Sequence, residues 1–117
     1  MRSLVVKVTA GADAPERCLQ GLTVSSVAAA AGASVSLWLT GDSVLLAVPG
    51  GELLLPESPP ASELLSDVLA LGTVTACTQC LARRDLAEAD LLPGVRVGGA
   101  AGFVAEALAE DAQALVY

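Results

Sequence analysis

The chain has 117 residues and a mass of 11.7 kDa, enough for one hydrophobic core, so residues 1–117 are read as a single domain. With 54% hydrophobic and 16% charged residues, and a mean hydropathy of +0.65, a disordered polymer is excluded. Thirteen acidic against six basic side chains leave a net charge of -7, which repels phosphate and excludes a basic track for nucleic acid.

Ser3 to Thr9 (SLVVKVT) is β-branched and mostly apolar, the pattern of a strand covered on both faces. After Ala10-Gly11-Ala12, Asp13 caps an expected helix with Pro15 and Glu16 in its first turn, running to about Ala31 and stopped by Gly32. Ser34 to Leu39 is the second strand, closed by Thr40-Gly41-Asp42, and a short helical turn follows over Ser43 to Val48. Pro49 to Pro60 is too broken by proline and glycine for a regular element. It reads as an ordered excursion packed at a subunit contact rather than an active-site lid. A helix opens at Ala61 or Ser62, with Leu64, Leu65, Val68, Leu69 and Leu71 on one broad face, and ends at Gly72. Thr73 to Ala76 is the third strand, with a helical turn starting around Cys77. Val95 to Val97 is the fourth strand, Gly98 to Glu110 the last long helix, and Ala112 to Val116 the fifth strand.

This alternation predicts an α/β domain, a parallel sheet with helices on both faces. The common order for five such strands is 2-1-3-4-5, with the winding reversing between the first and third strands. A ligand crevice is then expected beside Thr9 to Asp13, Thr40 to Asp42 and Ala76 to Cys80. The first ten residues hold too short an apolar stretch before Lys7 for a signal peptide. The uncharged run Cys18 to Gly41 is diluted by serines and divided by Gly32, so no membrane span is expected. A cytoplasmic protein is the resulting expectation. Only three aromatic residues, Trp38, Phe103 and Tyr117, are present. A small domain this apolar is expected to hide surface against copies of itself as a homo-oligomer.

No histidine is present, so imidazole triads and His-rich metal sites are excluded. Chemistry is left to cysteine, carboxylate, hydroxyl or backbone groups. The three cysteines, Cys18, Cys77 and Cys80, are an odd set and read as reduced thiols; they give at most three ligands, so no metal is expected. Cys77 falls where the third strand exits into a helix, a place that favours a thiolate, and Arg83 and Arg84 follow with positive charge. The competing reading is a small buried apolar residue ending the strand. Cys77-Thr78-Gln79-Cys80 brings two sulfurs within reach at a helix start, which admits thiol-disulfide chemistry. A thioredoxin-like fold is disfavoured, because its dithiol follows an early strand. Cys18 reads as core packing. Gly98-Gly99-Ala100-Ala101-Gly102 opens a helix but lacks the first glycine of a dinucleotide loop, and close helix-to-strand packing explains it. Asp13 and Asp42 have an ordinary turn or cap reading beside the reading that they polarise a ligand.

Three stretches together resemble the DsrE family, the YchN-like group that includes TusD-type sulfur-relay subunits. They are Leu19 to Asp42 with Val44-Leu45-Leu46-Ala47, Leu71 to Cys77, and Cys77 to Arg84 with Leu86; Gly94 to Val116 also fits. The resemblance implies a flavodoxin-like three-layer α/β/α domain that assembles as a homotrimer or homohexamer. It also implies that Cys77, six residues before the paired arginines, carries sulfur as a persulfide. Asp85 departs from the glycine usual after those arginines, and Cys80 adds a second thiol. A sulfurtransferase subunit or sulfur carrier without cofactor, served by donor and acceptor proteins, is the leading expectation. A Cys77/Cys80 redox protein and a non-catalytic ligand-binding scaffold are the alternatives. The site residues expected are Cys77 and Cys80 for chemistry, and Thr9, Asp13, Thr40, Gly41, Asp42, Arg83 and Arg84 for binding.

Overall fold

Alternation along β1 (Ser3–Val8) points Val6 and Val8 into one layer of core, and the same period in β2 (Ser34–Leu39) sends Leu37 and Leu39 to that layer and Trp38 to the other. The computed structural model describes residues 2–117. β3 (Thr73–Cys77), β4 (Arg96–Gly98) and β5 (Ala112–Val116) complete a sheet of five strands whose pairings are all parallel. Helices α1 (Pro15–Ala30) and α2 (Ala61–Leu71) lie side by side on the Leu37 face, and α4 (Ala100–Ala107) covers part of the other, with the short α3 (Thr78–Ala82) at the exit of β3. The result is the expected three-layer α/β/α domain.

The order across the sheet is β4-β3-β2-β1-β5. The expected order 2-1-3-4-5 set β3 against β1; here β2 stands between them, and β5 takes the far side of β1. The physical reason is the handedness of the crossovers. Because α1 and α2 pack together on one face, two right-handed connections in succession carry the chain in one direction, and only α4, on the opposite face, returns it to the other edge. The winding therefore reverses between β1 and β5, away from Cys77.

Three local expectations also change. The residue capping α1 is Ala14, without a side-chain bond, while Asp13 instead accepts the Gly11 amide at 2.7 Å. The last helix spans only Ala100–Ala107, because Gly98 is taken by pairing with Cys77 and tight turns after Glu106 redirect the chain into β5. The turn after β2 is a 3-10 helix over Gly41–Ala47, and a second, unexpected one covers Glu88–Asp90. Residues 49–60 are irregular as expected. Leu53 and Leu55 pack against the core, and Glu52 accepts the Leu53 and Ser62 amides at 2.9 Å each, holding the start of α2.

The α4 face is joined to the sheet by polar groups as much as by apolar ones. Trp38 meets Phe103 edge to face with ring centroids 5.7 Å apart, and its Nε1 donates to Glu106 at 3.1 Å. Glu106 also accepts the Ser36 hydroxyl and pairs with Arg96 at 3.5 Å, while Arg96 Nη2 donates to the buried Thr75 hydroxyl at 3.0 Å. A Cβ at Gly98 would lie 3.0 Å from the Trp38 ring, so the indole can cross β4 only where a side chain is missing. Glu106→Ala strands the indole N–H of a side chain that is 3% exposed. A loss of about 2 kcal/mol in urea unfolding is expected, with Glu106→Gln losing less.

Candidate functional site

β3 ends at Cys77, where the backbone is still extended, and α3 starts at the next residue, so Cys77 stands at the lip of the sheet with Cys80 one turn behind it. Cys77 is half-buried at the mouth of a cavity of about 80 Å³ whose walls are Lys7, Trp38, Thr40, Gln79, Phe103 and the Gly98–Ala100 turn. Cys80 is 7% exposed and packs into the core. Its Sγ accepts the Gly41 amide at 3.2 Å and faces Arg83 Nη1 at 4.0 Å.

The two thiols stand three residues apart across the start of α3, and their ionisation is linked. Burial opposes charge on Cys77, but the Cys80 thiol, the Cys80 and Gln79 amides and the Arg83 guanidinium together outweigh it and bring its pKa below the ordinary thiol value of 9.0. Burial, followed by the neighbouring Cys77 sulfur, pushes Cys80 the other way, against the pull of the Gly41 amide and Arg83. The pair thus favours one negative charge, carried on the more open sulfur. Since α3 has only five residues, it is the two local amides rather than a long helix dipole that favour the thiolate. Cys18 is fully buried, its pKa raised to about 11 by desolvation and then by Asp13, and it lies with Leu19 and Leu22 in the core as expected.

The expected binding residues divide. Gly41, Arg83 and Thr40 gather around the thiols. Arg84 turns away: it donates to Cys80 O at 2.9 Å and pairs with Asp42 at 2.6 Å, tying α3 to the turn after β2. Asp42 therefore braces the loop rather than facing the cavity. Thr9 Oγ1 donates to Tyr117 O at 2.7 Å, beside β5, and Asp13 belongs to the start of α1; neither lines the cavity. The reason is again the strand order, since β2 separates the β1 exit from Cys77. No residue of 49–60 lines the cavity in this structure.

Sequence reading missed Lys7, Trp38, Gln79 and Phe103. Lys7 Nζ sits 4.7 Å from the Phe103 ring centroid and enters no ion pair among the described residues. Its signal was present as the one charge inside an apolar strand. Gln79 Oε1 accepts from Cys77 Sγ at 3.5 Å. Among the described residues no group of three or more Cys, Asp or Glu could hold a metal ion, and no helix is long and apolar enough to cross a membrane.

This chain matches the DsrE/DsrF-like family over residues 2–116 and belongs to that family. Membership supports a protein of the sulfur-relay type in general terms. Among solved structures, it is similar to the ychN protein from E. coli, with a TM-score of 0.84 at 19% identity. It is also similar to MTH1491, a protein of unknown function from Methanobacterium thermoautotrophicum, with a TM-score of 0.78 at 16% identity. Both comparisons cover 100% of each chain and show a shared fold. No curated protein matches the sequence.

Proposed function

We propose that this chain is a cytoplasmic sulfur carrier in which Cys77 receives sulfane sulfur from a donor protein, holds it as a persulfide and passes it to an acceptor protein. The observation that carries the reading is the position of Cys77: a thiol at an open cavity, with its ionisation favoured, while Cys18 and Cys80 are buried with theirs opposed. In loading, the thiolate attacks the outer sulfur of the donor's persulfide, the sulfur–sulfur bond of the donor breaks, and the donor thiolate leaves. Unloading repeats this with Cys77 as leaving group, which a low-pKa thiol performs well. Lys7 on one side and Arg83 on the other supply positive charge for anionic sulfur in a chain of net charge -7. No cofactor is required.

A homo-oligomer, trimer or hexamer, is part of the same reading. Val104 on α4, Leu108 just past its end, and Leu115 and Val116 on the edge strand β5 are 39–79% exposed, apolar surface that a second copy of the chain would cover. Intact mass after incubation with a cysteine desulfurase and its substrate tests the carrier. The wild type is expected to gain a single sulfur atom, and Cys77→Ser to gain none. A chain that takes up no sulfur either as the wild type or as Cys80→Ser overturns the reading and leaves a binding or scaffold role.

A further inference from the structure

Cys80 has no part in the carrier step above, yet its surroundings are not those of an idle core residue. Its sulfur is shielded from any bulky partner, being 7% exposed, while it stands in the first turn of α3, three residues after Cys77 at the end of β3, a spacing that lets two sulfurs meet. The Gly41 amide at 3.2 Å and the Arg83 guanidinium at 4.0 Å both point at it and stabilise negative charge as it develops there. One thiol is thus open to donors and the other is reachable only from the first, the asymmetry of an attacking and a resolving cysteine.

We infer that Cys80 discharges a loaded Cys77, so that the chain releases its sulfur as sulfide when no acceptor takes it. This rests on Cys77 being the sulfur-bearing residue. Cys80 attacks the inner sulfur of the Cys77 persulfide; the bond between inner and outer sulfur breaks, and the outer sulfur leaves as hydrosulfide with the proton that Cys80 carried. The two cysteines are oxidised to one disulfide and the sulfane sulfur is reduced to sulfide, so electrons balance without an outside oxidant. The open space beside Cys77 is the cavity lined by Lys7, whose ammonium favours departure of an anion into it. An external thiol reductant returns the disulfide to the starting dithiol.

The chain is loaded with inorganic tetrasulfide, freed of excess reagent, and followed by intact mass and sulfide assay. The wild type is expected to lose the added sulfur to a species short of two hydrogens, with one sulfide per disulfide at a rate independent of protein concentration. Cys80→Ser and Cys80→Ala are expected to keep the added sulfur at least about tenfold longer. Cys80→Ser keeps a hydroxyl for the Gly41 amide and Cys80→Ala adds no polar group to the core, so a folding defect in one leaves the other as the test. A wild type that retains sulfur as long as both variants, or releases sulfide without a Cys77–Cys80 disulfide, overturns the inference. Failure of the wild type and of both Cys80 variants to take up sulfur overturns the carrier reading itself.

Discussion

Gly41→Ala is expected to unfold in urea with about 3 kcal/mol less stability than the wild type, and to release the Cys80 thiol to alkylation. Gly41 holds φ at +57°, a conformation that costs a residue with a Cβ about 1 kcal/mol. The larger part is steric: a Cβ there would lie 2.6 Å from the Thr9 carbonyl oxygen, a backbone atom of the neighbouring strand end that has no rotamer to give. The turn after β2 must move, and the Gly41 amide moves with it, away from the Cys80 sulfur that it reaches at 3.2 Å. Stability and thiol protection are thus expected to fall together. A variant as stable as the wild type, or one destabilised with Cys80 still shielded, contradicts the proposed role of this turn.

That turn also shows where local pattern stops being informative. β2, β5 and α2 keep the expected boundaries because their apolar periods and flanking turn residues are written in consecutive positions. Placing Cys77 at a strand exit with Cys80 beside it needed nothing beyond the end of β3 and the spacing of the pair. The strand order was hidden for a physical reason. It depends on α1 and α2 sharing a face, a choice made by helix-to-helix contact rather than by any segment alone. The displacement of Thr9 and Asp13 from the site follows directly from it. Equally, which of two adjacent arginines faces sulfur is decided by where α3 stops, at Ala82, so that Arg83 turns toward Cys80 Sγ and Arg84 toward Asp42. The Trp38–Glu106 bond joins residues 68 positions apart and leaves no mark on either neighbourhood. Lys7 is the exception, a wall of the cavity announced by its own oddity in an apolar strand.

Alkylation of Cys77 against pH gives the second large effect, and its sign follows from linkage. The rate tracks the thiolate, so its midpoint is expected below the ordinary thiol value of 9.0. Each pH unit by which the midpoint falls raises the thiolate at neutral pH about tenfold and lowers its intrinsic nucleophilicity about threefold, a net gain of about threefold. Arg83→Gln removes a charge that favours the anion, and Cys80→Ala removes the thiol that bonds to it, so both move the midpoint up. The same shift enters stability. Between the lowered midpoint and 9.0 the unfolded chain holds more protons on this residue than the folded one, so folding gains as pH rises through that window and loses as pH falls through it. Cys80, shifted the other way, reverses the slope above 9.0, because there the unfolded chain gives up a proton that the folded chain keeps. Cys18, raised to about 11 by burial, adds to that fall, so the expected signature of the pair is a rise in stability toward pH 9 that Cys77→Ser removes, with the fall above 9.0 reduced but not abolished in Cys80→Ser. A Cys77 midpoint at or above 9.0 contradicts the shared-charge account of the pair.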